Sequence, residues 1–312
     1  MAWIVGIDEA GYGPNLGPLV QAAVAFLLPD SDPSGWDSLQ PWIRCAAEPK
    51  DHRLCLDDSK KIYHGVNRFR QLEEGVFTVL GWRPGSFGDL LQRILDPELQ
   101  GLLSQEYWYQ GSEQLPLQSN LPRRQRWPDW WQPGTAAVNL VPALHFNQFV
   151  RKFGSKATVL SVGLIRLLQT IRKTLRRGIP GNCGRVIVYG DKHGGRNYYA
   201  AMLQQAFPDG WVITERESAA ESRYRLTGLE HDWEIVLLPR ADATVISVAV
   251  ASMLAKYLRE VCMIQINRFW QHQIPGLRPT AGYPVDARRF LTEIRPHLAR
   301  LQIPEEAVWR IK

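Results

Sequence analysis

The sequence predicts an α/β protein, and three observations carry that prediction. Two β-rich runs, Trp3 to Asp8 and Leu19 to Leu28, flank a glycine- and proline-rich turn and read as an antiparallel strand pair. Leu160 to Arg177 places Leu164, Leu167, Leu168, Ile171 and Leu175 on one helical face, with Arg166, Arg172, Lys173, Arg176 and Arg177 elsewhere. Three further strand-like runs, Trp211 to Thr214, Ser222 to Leu226 and Trp233 to Leu238, lead to a long helical stretch that opens at Asp242 and runs to about Trp270.

The elements follow in order. Residues 29–51 are loop-like. Asp57 to Lys61 is a polar turn before a helical stretch, about Asn67 to Glu74, and Val76 to Leu80 reads as a short β run. Phe87 to Leu103 has helical periodicity at Leu90, Leu91, Ile94 and Leu95. From 104 to 134 the chain turns rich in Gln, Pro, Trp and Arg and loses any period, the mark of an insertion. Ala136 to Phe149 is strand-like. Gly178 and Pro180 end the amphipathic helix, and Arg185 to Tyr189 is a strand that runs into Gly190 and Asp191. Tyr198 to Phe207 is helical, and Phe290 to Leu301 is the last helix. No repeat is present, and 1–312 reads as one domain with 104–134 inserted in it.

Composition narrows the function classes. The chain has 312 residues, 45% of them apolar, enough for a large core. The apolar run 19–28 is too short for a bilayer and has no charged leader before it, so the sequence points to the cytoplasm and to no membrane partner. Cys45, Cys55, Cys183 and Cys262 are scattered without zinc spacing and read as reduced thiols. A net charge of +6 suits a polyanionic partner. Trp108, Trp127, Trp130 and Trp131 lie near Arg123, Arg124 and Arg126. That segment reads equally as a surface that stacks unpaired bases or as a loop buried against the domain.

Four acids stand where apolar segments end or begin: Asp8, Glu9, Asp191 and Asp242. Clustered carboxylates suit hard divalent ions such as Mg²⁺ or Mn²⁺, and two such ions can clamp the attacking and leaving oxygens of a phosphodiester. Each acid alone has a plainer reading. Asp8 and Glu9 fit a solvated turn, Asp191 a turn in Gly-Asp-Lys, and Asp242 a helix N-cap. Neighbours on a regular strand also point to opposite faces, so Asp8 and Glu9 share a site only where the strand ends or twists.

The ordered pattern is more specific. Ile7-Asp8-Glu9-Ala10-Gly11-Tyr12-Gly13-Pro14-Asn15-Leu16-Gly17-Pro18-Leu19-Val20 resembles the opening motif of type 2 ribonuclease H (ribonuclease HII). Asp58-Ser59-Lys60-Lys61-Ile62 resembles that family's next motif. Ala241-Asp242-Ala243, then Ala251-Ser252-Met253-Leu254-Ala255-Lys256, resembles its late helix motif, and Gly282-Tyr283 its C-terminal Gly-Tyr element.

The resemblance implies a ribonuclease H-like mixed β-sheet flanked by helices and a two-metal site for Mg²⁺ or Mn²⁺. It also implies an endonuclease acting on RNA–DNA hybrids or ribonucleotides embedded in duplex DNA, leaving 3′-hydroxyl and 5′-phosphate ends. Asp8, Glu9 and Asp242 match the family's acids. Its third acid falls in Val-Asp-Gly-Asn, where this chain has Val188-Tyr189-Gly190-Asp191. Asp191 keeps the same strand face two residues on and is the candidate replacement. Tyr12 stands where the family's turn has arginine, while Gly11 and Gly13 are kept. Gly11, Tyr12, Gly13, Lys60, Lys61, Ser252, Lys256 and Tyr283 become candidate nucleic-acid contacts, with Lys192, His193 and Arg196 beside Asp191. Lys256 lies about 21 Å along a helix from Asp242, beyond reach of the same metal. The sequence leaves open two other readings, a same-fold nuclease for structured DNA or RNA and a non-catalytic nucleic-acid binder. It says nothing of the oligomeric state.

Overall fold

A computed structural model describes residues 1–46, 51–64, 67–119, 127–178 and 184–311, with no side-chain description at 177–178. Arg123, Arg124, Arg126, Pro180 and Cys183 therefore lie outside the described residues. The strands are β1 (Ala2–Ala10), β2 (Leu19–Leu28), β3 (Ile43–Arg44), β4 (Leu54–Cys55), β5 (Thr135–Val141), β6 (Arg185–Asp191), β7 (Trp211–Glu217), β8 (Ser222–Thr227) and β9 (Asp232–Leu238). The helices are α1 (Trp36–Leu39), α2 (Ser59–Ile62), α3 (Arg68–Val79), α4 (Phe87–Ile94), α5 (Pro97–Leu103), α6 (Ala143–Phe153), α7 (Lys156–Gly178), α8 (Ala200–Ala206), α9 (Ile246–Gln273), α10 (Pro284–Leu298) and α11 (Glu305–Val308).

Among the described residues, seven strands form one sheet in the order β5-β2-β1-β6-β9-β8-β7. Its centre, β1, β6 and β9, is parallel. The outer strands pair antiparallel, β2 with β1, β5 with β2, β8 with β9 and β7 with β8. The mixed sheet flanked by helices that the sequence led us to expect is present. Alternation along each strand divides the side chains between two cores. Ile4, Val24, Ile187 and Val236 face α9 and α3. Val5, Ile7, Val188 and Ile235 face α7 and α8.

Helix α9 is apolar nearly all round because it is buried nearly all round. It rests directly on β1 through Gly6. A Cβ at Gly6 would lie 2.0 Å from the Ser247 carbonyl carbon and 2.1 Å from the Val248 nitrogen. This close approach sets the height of α9 over the end of β1, where the acids lie.

Several boundaries differ from expectation. Val76 to Leu80 is no strand: Val76 and Val79 belong to α3, and Leu72, Val76 and Val79 are spaced to line α9. Phe87 to Leu103 is two helices, because Asp96 caps the second through Glu98 N at 3.0 Å and Pro97 opens it. Ala136 to Phe149 is strand then helix, since Pro142 stops β5 and starts α6. Phe290 to Leu301 is displaced: α10 begins at Pro284, ends at Leu298, and is followed by α11.

The tryptophans of the 104–134 segment pack inward. Trp108 is buried, Trp131 stacks on Phe26 with ring centroids 5.1 Å apart, and Trp127 stacks on Trp131 at 4.8 Å. Cys55 and Cys262 are free, buried thiols. Among the described residues, no helix is long and apolar enough to cross a membrane.

Candidate metal centre

The acids gather at the C-terminal ends of the three parallel strands. Ile7 of β1 pairs with Gly190 of β6, and the next residue along each strand is an acid, Asp8 and Asp191. Asp191 in turn pairs with Leu238, the last residue of β9. Beyond it the chain turns sharply through Arg240, whose φ of 58° and ψ of 42° are left-handed. That conformation costs a non-glycine residue about 1 kcal/mol. It launches the 3₁₀ turn Ala241–Ala243, which carries Asp242 into the cluster.

Asp242 is not the helix cap. The N-cap of α9 is Val245, with no side-chain hydrogen bond, and Asp242 is buried. The Ala241 amide donates to Asp191 Oδ1, tying the turn to the end of β6.

Burial and mutual repulsion raise the proton affinity of the whole group. Asp8 is pushed well above the usual carboxylate range, by burial first and then by Glu9, with the Ser252 hydroxyl opposing. Glu9 is raised to about 7 by burial and by Asp191, against the pull of Lys60. Asp242 is raised to about 6 by burial, then by Asp58 and Asp191. Asp191 is raised by burial, opposed by the Ala241 amide and Lys60. Glu9 responds to Asp191 and Asp242 as well, so both acids at the end of β1 feel the charge of the others.

A further acid, Asp58, lies beside the cluster. Asp58 caps α2 through Lys60 N at 2.9 Å, and its nearness helps raise the proton affinity of Asp242. The motif containing it was quoted for its lysines, and cap residues give no sequence sign of a second role. Carboxyl groups crowded in this way hold protons that a cation can replace. The donors are all oxygens, which suits Mg²⁺ or Mn²⁺ rather than zinc or copper. Among the described residues, no three His, Cys, Asp or Glu side chains already converge on one ion position. The Ala241 amide occupies one oxygen of Asp191 and leaves the other for an ion.

The basic and aromatic candidates divide. Lys60 is exposed and is drawn toward Asp58, Asp242, Asp8 and Asp191. Lys61 pairs with Asp57 at 2.9 Å. Ser252 is 3% exposed and meets Ser59 Oγ at 2.8 Å, so it supports Asp8 from beneath rather than meeting a ligand at the surface. Lys256 pairs with Glu260 at 2.7 Å and lies 4.2 Å from the Tyr63 ring centroid. Lys192 is turned away, donating to Asn197 Oδ1 and the Ser218 carbonyl.

His193 packs edge-on to Tyr199, and burial and Arg196 lower it to about 4, so its imidazole is neutral at pH 7. Arg196 donates to Ser161 Oγ at 2.8 Å. Tyr189 is half-buried beside Arg223 and Glu234.

The turn after β1 holds the remaining candidates. Gly11 has φ of 92°, and a Cβ there would lie 2.5 Å from the Pro18 carbonyl oxygen, so only glycine fits. Gly13 is exposed with open space around it. Tyr12 packs on a satellite core with Phe146, and Lys156 Nζ lies 4.6 Å from its ring centroid. Lys156 is thus a further cation beside the turn, invisible in sequence because it is distant along the chain. Tyr283 is 53% exposed, with the Arg259 guanidinium 5.8 Å from its ring.

No protein-family model matches the chain, and no curated protein matches it. Solved structures do. The chain is similar to the Archaeoglobus fulgidus protein in the structure of the PCNA–RNase HII complex, at 15% identity and TM-score 0.48, covering 99% of this chain and 94% of that one. It is similar to ribonuclease H2 from Pyrococcus horikoshii OT3, at 15% identity and TM-score 0.44, covering 98% and 92%. It is also similar to Bst-RNase HIII solved with Mn²⁺, at 15% identity and TM-score 0.48, covering 99% and 66%. Likenesses at this level carry no weight for function; the carboxylate cluster must carry it.

Proposed function

We propose that this chain is a divergent type 2 ribonuclease H, a metal-dependent endonuclease that hydrolyses phosphodiester bonds of RNA in RNA–DNA hybrids or at ribonucleotides embedded in duplex DNA. One observation carries the reading. Asp8, Glu9, Asp191 and Asp242 come from separate strands and a strained turn into one cluster whose members raise one another's proton affinity. Such a cluster is repulsive to itself and to a polyanion unless cations occupy it.

Asp8, supported by Ser252, would hold Mg²⁺ or Mn²⁺ together with Glu9, Asp191 and Asp242. When bound, the ions supply an activated water and stabilise the leaving 3′-oxygen. The protein's own groups do the rest. Ser252 fixes the Asp8 carboxylate, the Ala241 amide fixes Asp191, and Lys60 holds a phosphate at the rim. The turn Gly11-Tyr12-Gly13 meets the sugar–phosphate backbone, with Lys61, Lys156, Arg196 and Tyr283 on the approach. Asp191 takes the place of the acid absent at Tyr189.

The test is cleavage of duplexes carrying no ribonucleotide, a single one, or a run of them, in Mg²⁺ and in Mn²⁺. Cutting confined to ribonucleotide-containing duplexes supports the reading. Wild-type rates from Asp8→Asn would sink the mechanism, and wild-type rates from Asp191→Asn would remove Asp191 from it. Tyr12 in place of arginine favours keeping one alternative, a same-fold nuclease for other structured nucleic acids. The duplex without ribonucleotides separates the two.

A further inference from the structure

The Gly11-Tyr12-Gly13 turn is held from behind by a residue almost three hundred positions away. Arg310 is 2% exposed. Its Nη2 donates to the carbonyl oxygens of Gly11, Tyr12 and Pro14. Its guanidinium carbon lies 4.5 Å from the Phe146 ring centroid. Among the described residues, it has no carboxylate partner, and its Nε and Nη1 are buried without a hydrogen bond. Burial and the nearby Arg259 lower it to about 9.

The surrounding chain is pinned to the same turn. Arg310 N donates to Asn15 O at 2.8 Å, Asn15 Nδ2 to Arg310 O at 3.2 Å, and Leu16 bridges Trp309. Asn147 of α6 secures this segment through the carbonyls of Glu306 and Trp309 and the amide of Ile311.

A buried, unpaired guanidinium is costly, and an apolar side chain would fill the space at lower cost. What the charge achieves is orientation. The peptide bonds of the turn are trans; the cis bond of the described chain is Leu115–Pro116. In a trans peptide the N–H points opposite the C=O. Drawing the Gly11 and Tyr12 oxygens inward therefore turns the Tyr12 and Gly13 N–H groups outward. Gly13 is exposed with nothing near it. Two adjacent outward amides over a buried positive charge suit an oxygen of the substrate backbone.

We infer that Arg310 is a positioning residue: it fixes the Gly11–Gly13 turn so that the Tyr12 and Gly13 amides receive an oxygen of the bound sugar–phosphate backbone. The kinetic arm of this inference rests on the nuclease reading above; its structural arm does not.

The experiment compares Arg310→Met, of similar reach without charge, with Arg310→Lys, whose ammonium can still meet three carbonyls. Arg310→Met should raise KM about tenfold while kcat stays within about twofold, the pattern of lost binding rather than lost chemistry. Its Mn²⁺ affinity should match wild type. Arg310→Lys should restore most of the KM. Hydrogen exchange of the turn in the metal-free protein should quicken in Arg310→Met and return toward wild type in Arg310→Lys. An unchanged KM and exchange in Arg310→Met overturns the inference. So does Arg310→Lys as impaired as Arg310→Met, or a parallel loss of kcat and Mn²⁺ affinity. If the wild-type protein cuts no duplex at all, the nuclease reading fails, and the exchange data alone judge the role of Arg310.

Discussion

Replacing Glu9 by glutamine should stabilise the metal-free protein, and only at high pH. Glu9 is raised from its ordinary 4.5 to about 7, first by burial and then by Asp191. At about 1.4 kcal/mol per pH unit, the rise corresponds to about 3 kcal/mol as an upper bound. Glu9 is only half-buried, so screening by water reduces the expected effect to roughly 1–2 kcal/mol.

The sign follows from linkage. A group whose folded pKa is raised contributes stability that is full below the unfolded value and is lost as pH climbs through the folded one. Wild type therefore loses stability between about pH 4.5 and pH 7, and Glu9→Gln, which cannot ionise, does not. With chelator present, the variant should melt roughly 1.5–3 °C above wild type near pH 8 and together with it near pH 4. Adding Mn²⁺ should reverse the order near pH 8, because wild type gains an ion and the variant has lost a ligand. Thermal unfolding by circular dichroism, in chelator and in Mn²⁺ at both pH values, reads all four outcomes. A metal-free variant melting at or below wild type near pH 8 would refute the reasoning, as would an equal Mn²⁺ response.

Gly6→Ala should be among the most damaging single-methyl changes in the chain. The added carbon would sit 2.0 Å from the α9 backbone, so a loss of about 3 kcal/mol or more is expected in urea unfolding. Arg172→Met should lower stability at neutral pH. Arg172 binds Asp209 and Glu230, holding both carboxyls down to about 2. Depressed carboxyls give stability that is full above about pH 4.5 and lost as pH falls toward 2, so the variant's deficit of roughly 1–2 kcal/mol should be visible at neutral pH and vanish on acidification. Asp58→Asn should keep the fold and change the proton count released on Mn²⁺ binding, read by calorimetry in buffers of different ionisation enthalpy, because Asp58 raises the proton affinity of Asp242. Affinity for a duplex should fall steeply with added salt if Lys60 and its neighbours meet phosphates, a slope measurable by anisotropy.

The fold was legible where one local signal decided the structure. β2 runs from Leu19 to Leu28, as its composition and bounding prolines indicated. It was illegible where tertiary contact chose between two local readings. Val76 and Val79 carry β-branched side chains, yet packing on α9 makes them helical. Asp242 has the letter and place of an N-cap, and only the left-handed Arg240 before it turns it into the cluster. The acids at 8, 9, 191 and 242 were visible because each ends or opens an apolar run. Asp58, Lys156 and Arg310 were not, since each matters through a partner far away in sequence.

The parallel centre of the sheet has a consequence for assembly. Asp8, Asp191 and Asp242 span most of the chain, and they become neighbours only when β6 and then β9 have docked beside β1. Pairings between strands so distant in sequence are slow to form. On the proposed metal-site reading, a chain with β9 undocked would present Asp8 and Glu9 without Asp242 and would hold a divalent ion less tightly. Ion affinity, followed during refolding, would then act as a clock for closure of the central sheet, rising only when its last parallel strand is in place.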